Sequence, residues 1–174
     1  MHSLKQTFFG LIIVVVIFLA WAAMLPKKLE LAKSRTYNTT ADSLYTHISA
    51  FAGWEHWFPW QDQNLETHIK GKPGSGQRLE WKHPEAGRGY MEILSLREDS
   101  LICLEIVFDE NAEPVLSDLH IIQKATGETE LIWHLYDSIQ YDWPMGRIRA
   151  FAIKKMAGRN IESALEDLQS NMKN

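Results

Sequence analysis

The chain contains a single cysteine, Cys103, in 174 residues. One thiol can form neither a disulfide within the chain nor a cysteine metal cluster, so both are excluded. Cys103 lies in an apolar run from Leu101 to Phe108, which predicts a buried and unreactive side chain. The histidines also lack the HExxH spacing of a common zinc site, and we predict neither a metal nor a cofactor.

The chain also carries no excess of positive charge. The net charge of -4 argues against a nucleic acid as the main partner. The Gly-x-Ser-x-Gly motif of many hydrolases is absent. The glycine-rich stretch from Lys72 to Gly76 has neither the spacing of a phosphate-binding loop nor a helix after it, so we interpret it as a turn. No pattern therefore identifies a catalytic residue.

Charge is absent from one long stretch, Phe8 to Leu25, which predicts a transmembrane anchor over residues 8–25 after a flank of residues 1–7. The rival is a secretory signal peptide, because Ala20-Trp21-Ala22 resembles a cleavage site. The apolar run continues past this site to Leu25 and the folded region begins almost at once. We therefore predict that the segment stays attached and that the protein crosses the membrane once.

The basic residues around this segment bear on its orientation. Lys27, Lys28, Lys33 and Arg35 follow the segment, whereas only Lys5 precedes it. The positive-inside rule then favours a cytoplasmic domain. The prediction is weakened because Lys33 and Arg35 fall within a predicted strand.

Residues 29–172 are predicted to form one α+β domain. A strand from Leu29 to Asn38 precedes a short helix from Thr40 to Ala52, and a long helix runs from Pro144 to about Ser170. Between the helices, short turns join consecutive hairpins of an antiparallel sheet. The strands predicted there are Leu65 to Lys70, Gln77 to Lys82, Tyr90 to Leu96, Leu101 to Phe108, Val115 to Ala125 and Glu128 to Tyr136.

The long helix has an apolar stripe that changes in size along its length. Small residues such as Gly146, Ala150 and Ala157 occupy its first half, and large ones such as Ile161 and Leu165 its second. Space beside small side chains is a candidate cavity for an apolar ligand. The alternative is that tryptophan rings fill the space, and the candidates for this are Trp54, Trp57, Trp133 and Trp143.

Three of the seven tryptophans lie in the segment from Trp54 to Trp60, where Gly53 and Pro59 break any helix or strand period. So apolar a segment must pack against a larger surface, either as a plug of the core or as the wall of a pocket. The predicted cavity residues are Trp54, Trp57, Trp60, Trp81, Tyr90, Trp133, Ala150, Ile153 and Ala157.

Several motifs in this order carry a resemblance to a known family. They are Leu25-Pro26 before the first strand, Trp54-x-x-Trp57-x-Pro59-Trp60 after the short helix, the glycine-rich turn before Gln77, Gly89-Tyr90-Met91-Glu92-Ile93, and Lys155-Met156-Ala157-Gly158 with Ile161, Leu165 and Leu168. The chain resembles the START-like (SRPBCC) superfamily, and most closely its membrane-anchored polyketide cyclase/dehydrase and lipid-transport branch. One departure is Asn38-Thr39-Thr40-Ala41, where relatives often have a proline.

The resemblance implies a helix-grip fold, with a curved antiparallel sheet of six or seven strands wrapped around the C-terminal helix. It also implies a hydrophobic cavity, in which some members bind lipids, sterols or polyketides and others catalyse cyclisation or dehydration. We therefore expect a membrane-tethered domain that binds a hydrophobic small molecule or lipid. One alternative is a cyclase/dehydrase-type enzyme using Tyr90, Glu92 or His56. Another is an interaction module that regulates a membrane partner.

The first half of the long helix is basic and carries apolar residues away from the main stripe, at Ile148, Phe151 and Met156. Such a surface is typical of a helix that lies on an anionic membrane, and also of a solvated helix face. The sequence leaves both interpretations open.

Overall fold

The computed structural model describes residues 2–59, 63–84, 87–108, 113–137 and 140–172. Three helices and seven strands are found in these ranges. The helices are α1 (His2–Met24), α2 (Ala41–Ile48) and α3 (Met145–Asn171), with a short 3₁₀ helix at Phe51–Trp54. The strands are β1 (Glu30–Tyr37), β2 (Glu66–Lys70), β3 (Arg78–His83), β4 (Gly87–Arg97), β5 (Leu101–Val107), β6 (Val115–Gln123) and β7 (Thr129–Tyr136).

The strands form one antiparallel sheet in the order β1-β7-β6-β5-β4-β3-β2. All neighbours are consecutive hairpins except β1, which pairs with β7 so that Leu31 lies opposite Leu135. Side chains alternate between the two faces, and one face of each central strand is buried. Leu131, Trp133 and Leu135 point to this inner face.

Helix α3 lies along β1 on the inner side of the sheet. The hydroxyl of Tyr37 donates to the backbone oxygen of Leu165 at 2.9 Å inside the core. In the predicted apolar stripe, Ala150, Ala157, Ile161 and Leu165 are buried, whereas Gly146 and Ile153 are half-buried. The predicted helix-grip arrangement of a sheet and a long C-terminal helix is therefore confirmed.

The short helix is shorter than predicted. It ends at Ile48 rather than Ala52, and the chain then turns into the 3₁₀ helix. The indole nitrogen of Trp54 donates to the backbone oxygen of Ile48 at 3.0 Å, which satisfies a carbonyl left free at the helix end. A Cβ on Gly53 would overlap the backbone oxygen of His47, so only glycine permits this close turn.

Helix α1 contains a span, Gln6–Met24, that is long and apolar enough to cross a membrane. Its apolar side chains between Phe8 and Phe18 are exposed on every side of the helix. Its end, by contrast, packs on the domain, because Ala22 is fully buried and Leu25 nearly so.

Candidate ligand-binding groove

Trp54, Trp57 and Trp133 form a compact cluster inside the domain. The ring centroids of Trp54 and Trp57 are 4.2 Å apart, and Trp133 meets both rings edge-on at 5.6 and 6.0 Å. The three side chains are at most 2% exposed. Edge-on and offset contacts of this kind stabilise aromatic pairs beyond the area that they bury.

Each indole N–H in this cluster has a partner. Trp133 donates to the hydroxyl of Ser117 at 2.7 Å, Trp57 donates to the backbone oxygen of Gly53 at 2.7 Å, and Trp54 donates to Ile48 as described above. Buried polar groups with partners of this kind hold the rings in fixed positions. The tryptophan segment thus closes one end of the core.

The other predicted cavity residues lie in several places. Ala150 and Ala157 are buried on α3, and Ile153 is half-buried beside the core. Trp81 lies on the inner face of β3, where its ring contacts Phe58 at a centroid distance of 5.9 Å. Trp60 lies outside the described residues.

Tyr90 does not join the tryptophan cluster. It follows Gly89 on β4 and precedes the fully buried Met91, so its side chain points to the outer face of the sheet. Its placement in a cavity between sheet and helix was therefore wrong. Tyr90 instead joins a polar network on the outer face.

That outer network consists of charged side chains around the Tyr90 ring. The guanidinium carbon of Arg78 lies 4.0 Å from the ring centroid, and the Tyr90 hydroxyl donates to Glu105 at 2.8 Å. Arg78 also donates to Glu92 through its Nε at 2.8 Å. The hydrogen bond to Glu105, followed by desolvation, raises the pKa of Tyr90. The phenol therefore stays protonated at neutral pH and is not poised to act as a base.

A groove of about 810 Å³ opens between the tryptophan segment and the inner face of the sheet at its β2 end. Its lining combines apolar side chains with the polar ones of Glu55, Gln63, Thr67 and His68. Among the predicted cavity residues that the structure describes, only Trp54 lines it. The other apolar lining residues are Phe51, Ala52, Phe58, Leu65, Ile69 and Leu79. Ile69 remains 39% exposed in it, although it faces the same side as the buried Leu79.

One buried amide fixes the wall of this groove. Gln77 is 2% exposed, and its side-chain oxygen accepts a hydrogen bond from the backbone nitrogen of Phe51 at 2.9 Å. Its backbone oxygen accepts from Ile93 at 2.9 Å. The start of the 3₁₀ helix is thereby held to the sheet by a residue that sequence reasoning placed only in a strand. The alternation of Leu65, Thr67 and Ile69 was the available signal for the opposite wall.

A second depression of about 600 Å³ is lined by residues of β2, β3 and β4 together with Val107. Trp81 and Tyr90 both line it, beside charged residues such as Glu80, Lys82 and Arg88. A hydrogen bond from Lys70, which lies 2.8 Å away, lowers the pKa of Glu80 and keeps it ionised. Trp81 and Tyr90, two of the predicted cavity residues, thus line this depression and not the groove.

His120 and His134 lie on the outer face of the sheet. His134 stacks on Tyr136 at a centroid distance of 4.8 Å, and the Tyr136 hydroxyl donates to Asp118 at 3.0 Å. Within the described ranges, no group of three or more histidine, cysteine or acidic side chains is placed to hold a metal ion. His56 is exposed, and its backbone oxygen accepts from Asn171.

Comparison with solved structures identifies this architecture. Norcoclaurine synthase from Thalictrum flavum, in complex with a transition-state analogue, superposes with a TM-score of 0.64 at 12% sequence identity, over 84% of this chain and 97% of that one. The chain has the START-like fold.

Two bacterial proteins superpose on the chain to a similar extent. CalU16 from Micromonospora echinospora matches with a TM-score of 0.58 and 13% identity, over 83% of this chain and 74% of its own. A Rhodobacter sphaeroides protein matches with a TM-score of 0.58 and 19% identity, over 83% of this chain and 92% of its own. No family model matches the sequence, and no curated protein does. At identities this low, the superpositions establish the fold alone. The function of this chain must be inferred from the geometry of its own site.

Proposed function

We propose that this START-like domain is held at a membrane and takes a hydrophobic small molecule or the apolar part of a lipid into the groove beside the tryptophan segment. The observation that carries the proposal is the groove itself. It leaves Ile69 exposed on a face of the sheet that is buried elsewhere, and aromatic and aliphatic side chains line it together with a polar rim.

Burial of apolar surface supplies the affinity in this proposal. Each Å² of apolar ligand surface removed from water contributes about 25 cal/mol, before the entropic cost of binding. Gln77 holds one wall through Phe51, and the indole hydrogen bonds hold Trp54, so the groove is largely formed before a ligand arrives. A preformed site avoids much of the ordering cost.

The membrane tether is proposed from the exposure of α1. Phe8 is 64% exposed and Ile17 is 63% exposed, and apolar residues surround the helix without a polar face. A helix that is apolar on all sides is stable in lipid and not in water. We place the domain on the cytoplasmic side, because Lys27 and Lys28 follow the helix directly.

The enzyme and interaction-module alternatives receive less support. Tyr90 and Glu92, which were named for proton transfer, lie on the outer face of the sheet and are engaged with Glu105 and Arg78. We therefore derive no catalytic step from them. An interaction module would use a surface patch rather than the groove, and the experiment below separates the two because only a ligand site responds to a change in the groove.

The test is binding of an apolar fluorescent probe to the full chain in detergent. Ala52 lines the groove and is exposed, so Ala52→Phe narrows the site without entering the core. We expect the probe to bind the variant at least about tenfold more weakly, which is about 1.4 kcal/mol. Mass spectrometry of small molecules that co-purify with the parent and not with Ala52→Phe would identify the natural ligand class.

The matched control is Ala32→Phe, on the exposed outer side of β1. It adds the same ring far from the groove and should leave binding unchanged. Equal probe affinity in the parent and both variants would contradict the groove as the binding site.

The membrane tether is tested separately by carbonate extraction, which should leave the protein in the membrane fraction. An N-terminus at Ala23 in the mature protein would overturn the tether.

A further inference from the structure

Helix α3 has its charges distributed against its own dipole. The charged residues of the first half are all basic, and those of the second half are all acidic. The bases are Arg147, Arg149, Lys154, Lys155 and Arg159, and the acids are Glu162, Glu166 and Asp167. Acids are favoured in the first turn of a helix and bases in its last turn, whereas the first turn of α3 carries the base Arg147. The helix dipole therefore does not account for the separation of bases and acids along α3.

The acids in the second half of α3 are explained by ion pairs within the domain. Glu162 accepts from Lys33 at 2.8 Å, and Glu166 accepts from Arg35 at 2.9 Å, which ties the second half of α3 to β1. The hydrogen bond from Lys33 lowers the pKa of Glu162, so this acid remains charged. These contacts give no reason for the basic half.

The basic half lies against the end of the apolar helix α1. The guanidinium of Arg147 donates to the backbone oxygen of Ala23 at 3.0 Å, which satisfies a carbonyl left free at the end of α1. The Trp21 and Phe151 rings meet edge-on at a centroid distance of 6.4 Å. These contacts fix α3 beside the point where α1 leaves the domain.

The outward face of this half combines bases with apolar side chains. Met145, Arg149, Met156 and Arg159 recur at helical spacing on the side away from the buried Ala150. Met145 is 68% exposed and Met156 is 55% exposed. In the part of the chain that the structure describes, Arg149 and Arg159 form no ion pair.

We infer that this outward face of α3, from Met145 to Arg159, docks on the surface of an anionic lipid bilayer. The inference rests on the proposed membrane tether, because α1 brings the face to the bilayer. The methionines and Phe151 would enter the boundary between headgroups and acyl chains, while Arg149, Lys155 and Arg159 contact lipid phosphates. The acidic half of α3 then lies farther from the negative surface. The occupant is lipid because the face continues from the apolar surface of α1.

The test measures how far position 156 enters the bilayer. The full chain is prepared with Cys103→Ser and Met156→Cys, labelled with a polarity-sensitive fluorophore, and placed in nanodiscs. The discs contain phosphatidylcholine alone or an equal mixture with phosphatidylglycerol. We expect a blue shift and protection from iodide in the anionic discs, with less of both in the neutral ones. A label at Leu94→Cys, an exposed apolar position on β4, serves as the reference and should change in neither.

Charge removal gives the second measurement. Arg149→Gln with Arg159→Gln should lower the docking equilibrium constant about fivefold for each charge removed. Lys72→Gln with Arg97→Gln removes the same charge from exposed positions elsewhere and should have no effect. Both pairs are at the surface, and near-ultraviolet circular dichroism confirms that each variant is folded.

The possible outcomes distinguish the docking of α3 on lipid from the membrane tether through α1. If the protein enters nanodiscs but the label at 156 responds like the label at 94, the docking face is wrong and the tether stands. If the docking is insensitive to lipid charge and to Arg149→Gln with Arg159→Gln, anionic lipid is not the occupant and a protein partner becomes the better explanation. If the protein fails to enter nanodiscs, both proposals are overturned.

Discussion

The indole nitrogen of Trp133 donates to the hydroxyl of Ser117 at 2.7 Å, across the pair of strands β6 and β7, and both side chains are fully buried. Ser117 lies one strand away from Trp133 and places a hydroxyl beside the apolar side chains of Leu119 and Leu135 on the inner face. The bond orients the ring that meets Trp54 and Trp57.

The first prediction concerns this bond. Ser117→Ala leaves a buried donor without a partner, and we expect a loss of about 1–3 kcal/mol in the free energy of unfolding. Urea unfolding in detergent measures it. Ser34→Ala, on the exposed side of β1, is the control and should change stability little. If the two variants lose the same amount, the hydrogen bond does not support the cluster.

Much of the fold follows from local patterns in the sequence. The strands between Leu65 and Tyr136 were predicted within a few residues, because strict alternation in β6 and β7 places Leu119, Leu131 and Leu135 on one face. The stripe on α3 was predicted for the same reason, since its period is that of a helix. These elements are governed by burial of side chains that are neighbours in the sequence.

The site was less accessible to sequence reasoning. The end of α2 at Ile48 depends on a hydrogen bond from Trp54, and the groove wall depends on a bond between Gln77 and Phe51. Both join residues that no periodic pattern relates. Tyr90 was misplaced because its outer-face partners, Arg78 and Glu105, come from two other strands. Contacts set by strand register cannot be deduced from one strand alone.

The second prediction tests the packing of α3. Leu165 is 2% exposed in the core between helix and sheet. Leu165→Ala removes this contact and should cost about 2–5 kcal/mol of unfolding free energy. The comparison is Leu94→Ala, at a bulge in β4 where the side chain is 41% exposed. A loss below about 0.5 kcal/mol for Leu165→Ala would mean that the buried face of α3 is assigned incorrectly.

The third prediction concerns pH. Burial, followed by a hydrogen bond of 2.7 Å to Asp137, raises the pKa of Tyr141 from 10.0 to about 12. Between these values the folded chain keeps a proton that the unfolded chain has released. The folded state therefore binds more protons, and the free energy of unfolding falls as the pH rises through this window.

Tyr141→Phe removes this titrating group, so the variant should show a shallower loss of stability between pH 10 and 12. Unfolding by urea at a series of pH values provides the two curves. Below pH 10 the curves should run parallel, which is the internal control, because Tyr141 is then protonated in both states. Tyr37 contributes a remaining slope, since burial also raises its pKa. Identical slopes above pH 10 would contradict the assignment.

The last prediction distinguishes two positions for an apolar ligand, beneath α3 or in the groove. From the sequence we expected it beside Ala157, which is 1% exposed within the core cluster. Ala157→Phe adds a ring where little space remains, so we expect overpacking to cost about 1–3 kcal/mol of stability. Probe affinity of the folded fraction should remain that of the parent, because Ala157 is not among the residues that line the groove.

Ala52→Phe should behave in the opposite way, with weakened probe binding and retained stability, because its side chain is exposed at the groove. Both variants add the same ring to an alanine, so the pair differs only in position. Unfolding in urea and probe titration on the same samples provide both readouts. If Ala157→Phe instead abolishes probe binding while the fold stays intact, the ligand lies beneath α3 and the groove proposal fails. A ligand in the groove therefore predicts lost affinity in Ala52→Phe and lost stability in Ala157→Phe. A ligand beneath α3 predicts lost affinity in Ala157→Phe.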